Sequence, residues 1–265
     1  MSDRLPGDRL PLEPVDLPGS FSAFLRARGM EPNWDPRSDA SALQAPEGTT
    51  ILSFRFGNGV IMAGDRRATA GSTIAHRRVQ KVFAADQYSV VAISGTAGIA
   101  VEMIRLFQTE LEHYEKLEDH RLSLEGKANY LAAMIRRQLP MAMQGLVVIP
   151  LFAGYDEESG TGRLFSFDVV GGRYEEIDYT ATGSGGRDAR SYLRSVYQPD
   201  ADEPAAIRTA LEALFVAAEE DSATGGPDLR REIYPNVVVV DAAGLREIPE
   251  ETLADVTRSV LESDL

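Results

Sequence analysis

The sequence predicts a four-layer αββα sandwich, an α/β fold in which two sheets stack face to face and helices cover both outer faces. Three observations point to it. Strand-like segments from Thr49 to Ser94 are followed by two amphipathic helices, and the same order of strands then helices recurs after Gly145. The strands come in groups, whereas a parallel doubly wound sheet alternates strand and helix singly. With 265 residues the chain is long enough for one large domain plus an appendage, or for two small domains.

Residues 1–48 hold seven of the fourteen prolines, no lysine and the single tryptophan, Trp34. They read as a mostly irregular arm. Within it, the run from Phe21 to Leu25 is either a helical turn that docks on a partner or a chance apolar patch in a disordered tail, and the segment alone favours the tail. From Thr49 the pattern turns to period two, with Leu52, Phe54 and Phe56 on one face and Thr49, Ile51, Ser53 and Arg55 on the other. Gly57-Asn58-Gly59 predicts a hairpin turn, because Asn and Gly tolerate positive φ. The return strand is expected from Val60 to Thr69, carrying Ile61, Ala63, Asp65, Arg67 and Thr69 on one face; further strands are expected at Val79–Ala84 and Tyr88–Ser94.

Two helices follow. Ile99, Met103, Leu106, Phe107, Leu111 and Tyr114 recur at threes and fours, as do Leu124, Ala128, Leu131, Ile135 and Leu139, so each helix has a core-facing stripe. The second strand block covers Val147–Tyr155, Arg163–Val170 and Tyr174–Thr182, with Gly160 and Gly171-Gly172 as turns. Helices are expected at Asp188–Val196 and Pro204–Glu219, the second opening on a proline suited to a first turn. A buried strand at Asn236–Val240, a short strand at Leu245–Ile248 and a helix from Pro249 with Leu253, Val256 and Val260 complete the chain.

Composition narrows the chemistry. A net charge of -14 argues against a nucleic-acid surface, which needs clustered Lys and Arg. There is no cysteine, which removes disulfides, thiolate nucleophiles and Cys-based metal sites. His76, His113 and His120 are the only imidazoles, and the last two lie in or beside a charged helix, so a Ser-His-Asp hydrolase or a His-rich metal centre would need His76 or a rearrangement that the sequence does not show. The first twenty residues lack the apolar core of a secretory signal, and the stretch Gly145–Tyr155, broken by Pro150, is too short to span a bilayer. The expectation is a cytoplasmic protein without metal, cofactor, nucleic-acid or membrane partner.

What remains for nucleophilic catalysis is a hydroxyl activated by an amine. The irregular arm gives way abruptly to a strand at the bond between Gly48 and Thr49. Cleavage there would place a hydroxyl nucleophile and a free α-amine on one residue, and that amine, with an unperturbed pKa of roughly 7.7 to 8.0, suits a base near neutral pH. A neighbouring cation would lower the amine's pKa and stabilise a developing alkoxide. Of the three lysines, Lys81, Lys116 and Lys127, only Lys81 lies in a strand-like run, Val79–Phe83, and Asp65 is placed to hold it, on the same sheet as Thr49. The alternative is an internal threonine at a strand start with a buried Asp-Lys pair of purely structural use. Gly183-Ser184-Gly185-Gly186 superficially suggests phosphate binding, yet the strand before it carries Glu175, Glu176 and Asp178 and is too polar for a buried Rossmann strand. Gly225-Gly226 reads as a turn.

Taken in order, Thr49-Thr50-Ile51 after a glycine, Gly64-Asp65-Arg66-Arg67-Ala68-Thr69, Lys81, Ser94-Gly95 and Gly183-Ser184-Gly185-Gly186 resemble the proteasome β subunit, in its actinobacterial type. The resemblance runs from Thr49 to the final helix, and residues 1–48 resemble that family's propeptide in position and character. It implies an N-terminal nucleophile hydrolase that cleaves itself between Gly48 and Thr49, leaving residues 49–265 as the catalytic domain. It further implies Thr49 as nucleophile and base, Asp65 and Lys81 as its supporting pair with Arg67 behind Asp65, and the Gly95 NH as oxyanion donor. Ser184 and Asp221 would orient the amine and a water, with Thr224 where the family often has serine. Thr69 and Ala97 would pair with the substrate backbone, and Ala68, Val79, Ile93 and Ala97 would form a small, apolar first specificity pocket. The implied partners are identical β subunits in seven-membered rings stacked face to face, flanking rings of α subunits, a ring-shaped ATPase, and polypeptide substrates. An inactive ring subunit, or the simpler two-ring bacterial threonine peptidase, are the competing readings.

Overall fold

The computed structural model describes residues 48–263. The run Phe21–Leu25, Trp34 and the predicted leader up to residue 47 lie outside the described residues. The first sheet contains β1 (Thr50–Phe56), β2 (Gly59–Gly64), β10 (Tyr179–Gly183), β11 (Asn236–Asp241) and β12 (Gly244–Glu247), in the order β10-β1-β2-β11-β12. The second runs β5-β6-β7-β8-β9, from β5 (Val82–Asp86), β6 (Ser89–Gly95), β7 (Val148–Asp156), β8 (Thr161–Phe167) and β9 (Arg173–Glu176). A separate hairpin pairs β3 (Ala68–Ala70) with β4 (Thr73–His76). The helices are α1 (Ala97–Glu118), α2 (Leu124–Arg137), the short α3 (Leu139–Ala142), α4 (Gly186–Val196), α5 (Glu203–Glu220) and α6 (Glu250–Ser263).

Three apolar layers separate the four structural ones. Ile51, Val60, Met62, Val238 and Val240 of the first sheet meet Val82, Val90, Ala92, Leu151, Ala153 and Leu164 of the second. Leu52, Phe54, Phe56 and Ile61 point the other way, against Leu193, Ile207, Leu211, Leu214 and Leu253 of the helices on that side. Val91, Phe152 and Phe165 pack against Met103, Ile104, Phe107, Leu131 and Ile135 of α1 and α2. The period-two pattern of β1 therefore has apolar residues on both faces, as a sheet covered on both sides requires. Helix starts follow their local chemistry: Asp202 caps α5 by accepting from the Ala205 N–H at 2.9 Å, and Ser123 caps α2 from the Gly126 N–H at 3.1 Å.

Four expectations need correction. The stretch Tyr174–Thr182 is two strands, β9 at the edge of one sheet and β10 at the edge of the other; no glycine or proline stands at the crossing to mark it in the sequence. The return strand stops at Gly64, because Asp65 turns inward and its carboxylate takes N–H groups that would otherwise need ladder partners. Lys81 is not within a strand but immediately precedes β5, which belongs to the sheet opposite Thr49. Leu106, counted on the inner stripe of α1, is 48% exposed, while Ile104 takes the buried place. The predicted hairpin turn does form between β1 and β2, its positive φ of 47° falling on Gly57.

Candidate active site

Thr49 stands just ahead of β1 and is buried, with its hydroxyl donating to the Gly48 carbonyl oxygen at 2.7 Å. That oxygen has a second donor, Lys81 Nζ at 3.0 Å. Gly48 fits because it has no side chain: a Cβ there would strike the Ala223 carbonyl oxygen and lie 2.6 Å from Thr69 Oγ1. The bond that the sequence marks thus sits with its carbonyl between a hydroxyl and an ammonium.

Lys81 and Asp65 form the buried base of the site, with 3% and 0% of their side chains exposed. Lys81 Nζ donates to Asp65 Oδ1 at 2.5 Å and to the Arg67 carbonyl at 2.6 Å, so with Gly48 all three ammonium protons are used. Burial pulls the Lys81 pKa below its ordinary value; the Asp65 carboxylate opposes that shift and the Arg67 charge adds to it. Asp65 accepts four hydrogen bonds. Oδ1 takes the Thr50 N–H at 2.8 Å as well as Lys81, and Oδ2 takes the N–H groups of Arg67 and Gly225, each at 2.9 Å. Arg67 supports Asp65 through its main chain, while its guanidinium donates to the Ser222 carbonyl at 3.0 Å.

On the other side of Thr49, its N–H donates to Ser184 Oγ at 3.4 Å, and the Ser184 hydroxyl lies 3.3 Å from the Thr49 carbonyl oxygen. Burial raises the Asp221 pKa, but hydrogen bonds from Ser184, Thr224 and the Ala223 N–H outweigh it and hold the carboxyl below the usual range. The Thr224 hydroxyl donates to Asp221 Oδ2 at 2.6 Å and lies 2.6 Å from Thr50 Oγ1. A pocket of about 410 Å³ opens over Thr49, lined by Ser94, Gly95, Thr96, Gly145, Val147, Ile149, Thr182, Gly183 and Ser184. Gly95 has φ +100°, and a Cβ there would run into the Val147 carbonyl oxygen.

The residues expected in the specificity pocket do not all meet there. Ile93 belongs to the layer between the second sheet and α1 and α2. Val79 lines a separate surface pocket with Ile74, His76 and Ile233. Ala68 is buried on β3 next to Thr69, and Ala97 opens α1 directly after Thr96. Two site residues escaped sequence reasoning. Thr50 was visible only as the second half of a Thr-Thr pair, and Gly225, taken as a turn, supplies an N–H to Asp65.

A two-sheet sandwich whose leading strand presents a threonine over a buried lysine-carboxylate pair is the arrangement of an N-terminal nucleophile hydrolase. The family described as proteasome subunit matches residues 45–228. The chain belongs to that family. It is similar to a proteasome subunit beta of Acidimicrobium ferrooxidans, 55% identical over 93% of this chain and 91% of the relative. It is 57% identical to one of Acidothermus cellulolyticus, over 82% of this chain and 77% of the relative. A proteasome subunit beta of Streptomyces griseus is 55% identical over 84% and 80%. No helix among the described residues is long and apolar enough to cross a membrane.

Proposed function

We infer that this chain is the catalytic β subunit of a 20S proteasome core, a threonine endopeptidase, and that Thr49 becomes its nucleophile when the leader, residues 1–48, is cut off. The observation that carries this reading is the Gly48 carbonyl oxygen held by both Thr49 Oγ1 and Lys81 Nζ. Addition of Thr49 Oγ to the Gly48 carbonyl carbon would put negative charge on that oxygen, where the Lys81 ammonium already lies. Breaking the C–N bond, with the hydroxyl proton passing to the leaving nitrogen, frees the α-amine and leaves the Gly48 acyl group as an ester on Thr49. Water then releases the leader as a carboxylate and restores the hydroxyl.

In the processed subunit the same hydroxyl attacks a peptide carbonyl, the α-amine takes its proton, and Lys81 favours the alkoxide. Gly95 stands at the pocket wall where its N–H can meet the oxyanion, and Ser184 with Asp221 orients the amine. Substrate backbone would pair beside Thr69 and Ala97, and the small Ala68 and Ala97 suggest cleavage after uncharged side chains. As a proteasome subunit it assembles with α and β subunits. The finer reading is stacked seven-membered β rings between α rings, fed with polypeptide by a ring-shaped ATPase in the cytoplasm. Enclosing the threonines in such a chamber reconciles broad specificity with free cellular protein. A scaffold subunit without activity has no use for Thr49, Asp65 and Lys81 in register behind a leader.

The experiment is intact mass with N-terminal sequencing after co-expression with an α subunit. A chain that begins at Thr49, and lacks the sole tryptophan, Trp34, is expected. An assembled, peptidase-active particle that retains residues 1–48 would overturn the reading.

A further inference from the structure

Thr50 follows the nucleophile, its side chain is wholly buried, and it bonds toward both carboxylates of the site. Its main-chain N–H donates to Asp65 Oδ1 at 2.8 Å. Its hydroxyl oxygen accepts the Gly185 N–H at 3.0 Å and lies 2.6 Å from the Thr224 hydroxyl, which itself lies 2.6 Å from Asp221 Oδ2. Each hydroxyl has one proton to give, and an ionised carboxylate gives none. Thr224 therefore spends its proton on Asp221, Thr50 must donate to Thr224, and the Thr50 oxygen is left to receive Gly185. The directions of all three bonds are fixed.

We propose that Thr50 is a positioning residue whose hydroxyl carries a one-way hydrogen-bond chain from the Gly185 N–H, through Thr224, to the Asp221 carboxylate. This rests on the Thr49 reading above, since Asp221 and Ser184 matter only if there is an amine to orient. Such a chain polarises each successive donor and strengthens the last bond, the one to the carboxylate. It also ties the Gly185 end of the loop to the strand that bears the nucleophile, and Ser184 lies between those two anchors. Gly185 carries an independent sign of the same device: a Cβ there would lie 2.7 Å from Thr50 Oγ1 and 2.8 Å from Thr224 Oγ1, so a methyl group would wedge into the chain itself. The low pKa of Asp221 agrees with a carboxylate whose donors are committed to it.

The test uses full-length chain co-assembled with α subunit, and compares Thr50→Val, Thr50→Ser and Gly185→Ala with the parent and with Thr49→Ala. Valine keeps the shape and removes the hydroxyl; serine keeps the hydroxyl. Expected for Thr50→Val is a processed particle whose kcat on a short fluorogenic peptide falls by about tenfold, the rate equivalent of one lost hydrogen bond, with KM little changed. The acid limb of its pH profile should move to higher pH as Asp221 loses support, and Thr50→Ser should restore both. A Thr50→Val particle with parental kcat and parental acid limb overturns the proposal, as does a serine variant no better than valine. Should Thr50→Val not assemble, Gly185→Ala decides: a lowered kcat with the shifted limb supports the chain, and a parental profile overturns it. Activity surviving in Thr49→Ala would instead overturn the nucleophile reading, so the two failures are told apart.

Discussion

Lys81 Nζ lies 2.5 Å from Asp65 Oδ1 although the two residues come from opposite sheets. Asp65 follows β2 of the first sheet and Lys81 precedes β5 of the second. The pair bridges the sandwich at the point where Gly48 and Thr49 enter it. Replacing Lys81 with Met leaves the Asp65 carboxylate buried without its cation. Such a loss costs about 3–5 kcal/mol. The expected outcome for Lys81→Met is a lower melting temperature together with an unprocessed leader, read by differential scanning and intact mass.

Burial also makes Lys81 sensitive to pH. Its folded pKa lies below the ordinary lysine value of 10.5, so between that lowered pKa and 10.5 the unfolded chain holds more protons than the folded one. Stability from this group therefore rises with pH across that window, while activity that needs the ammonium falls. Opposite slopes of melting temperature and kcat/KM on the alkaline side are expected, with the rise in stability absent in Lys81→Met.

Gly48→Ala is expected to slow leader removal by at least tenfold, because its methyl meets the Ala223 carbonyl and Thr69 Oγ1 and pushes the scissile carbonyl off Lys81. Time-resolved mass spectrometry of the assembling particle reads this directly. Once processed, the particle should have parental kcat, since residue 48 is gone.

Gly95→Ala places a side chain at φ +100° and against the Val147 carbonyl oxygen. Distortion of the pocket wall is expected to lower kcat by roughly a hundredfold, the scale of losing an oxyanion donor. Leader removal, which in the proposed mechanism relies on Lys81 at the Gly48 oxygen, should suffer less, a difference that steady-state kinetics and mass measurement separate.

Tyr197, packed edge-on against Phe54 and Tyr179, has its pKa pushed up to about 12 by burial, with help from Asp178. Above pH 10 the unfolded chain ionises this group first, so its contribution to stability declines between 10 and about 12. Tyr197→Phe should lose less stability than the parent in that range, measured by urea unfolding at pH 9 and pH 11.

The layers were legible in the sequence because burial on both sides of a sheet puts apolar residues on both faces of β1, Leu52, Phe54 and Phe56 on one and Ile51 on the other. Periodicity could not say which sheet a strand joins. Tyr174–Thr182 changes sheets with no glycine or proline at the crossing, and Lys81 looked like a strand residue beside Thr49 when it arrives from across the core. Thr49, Lys81 and Asp65, the proposed nucleophile and its supporting pair, were readable from residue type, because few side chains can do that chemistry in a chain without cysteine. Main-chain donors were not: the N–H groups of Gly225, Arg67 and Thr50 hold Asp65, and an N–H leaves no trace in residue identity.

Because one half of the Lys81–Asp65 pair hangs from each sheet, the proposed active site registers how the two sheets sit on one another. The layer between them, with Ala92 and Ala153 facing Val60 and Met62, is in effect the spacer of an instrument whose needle is the Lys81–Asp65 distance. Under the proposed mechanism, slippage of that layer by a fraction of a bond length would shift Lys81 against Thr49 while leaving most of the buried apolar area in place, so turnover would be a finer gauge of sheet stacking than the melting curve.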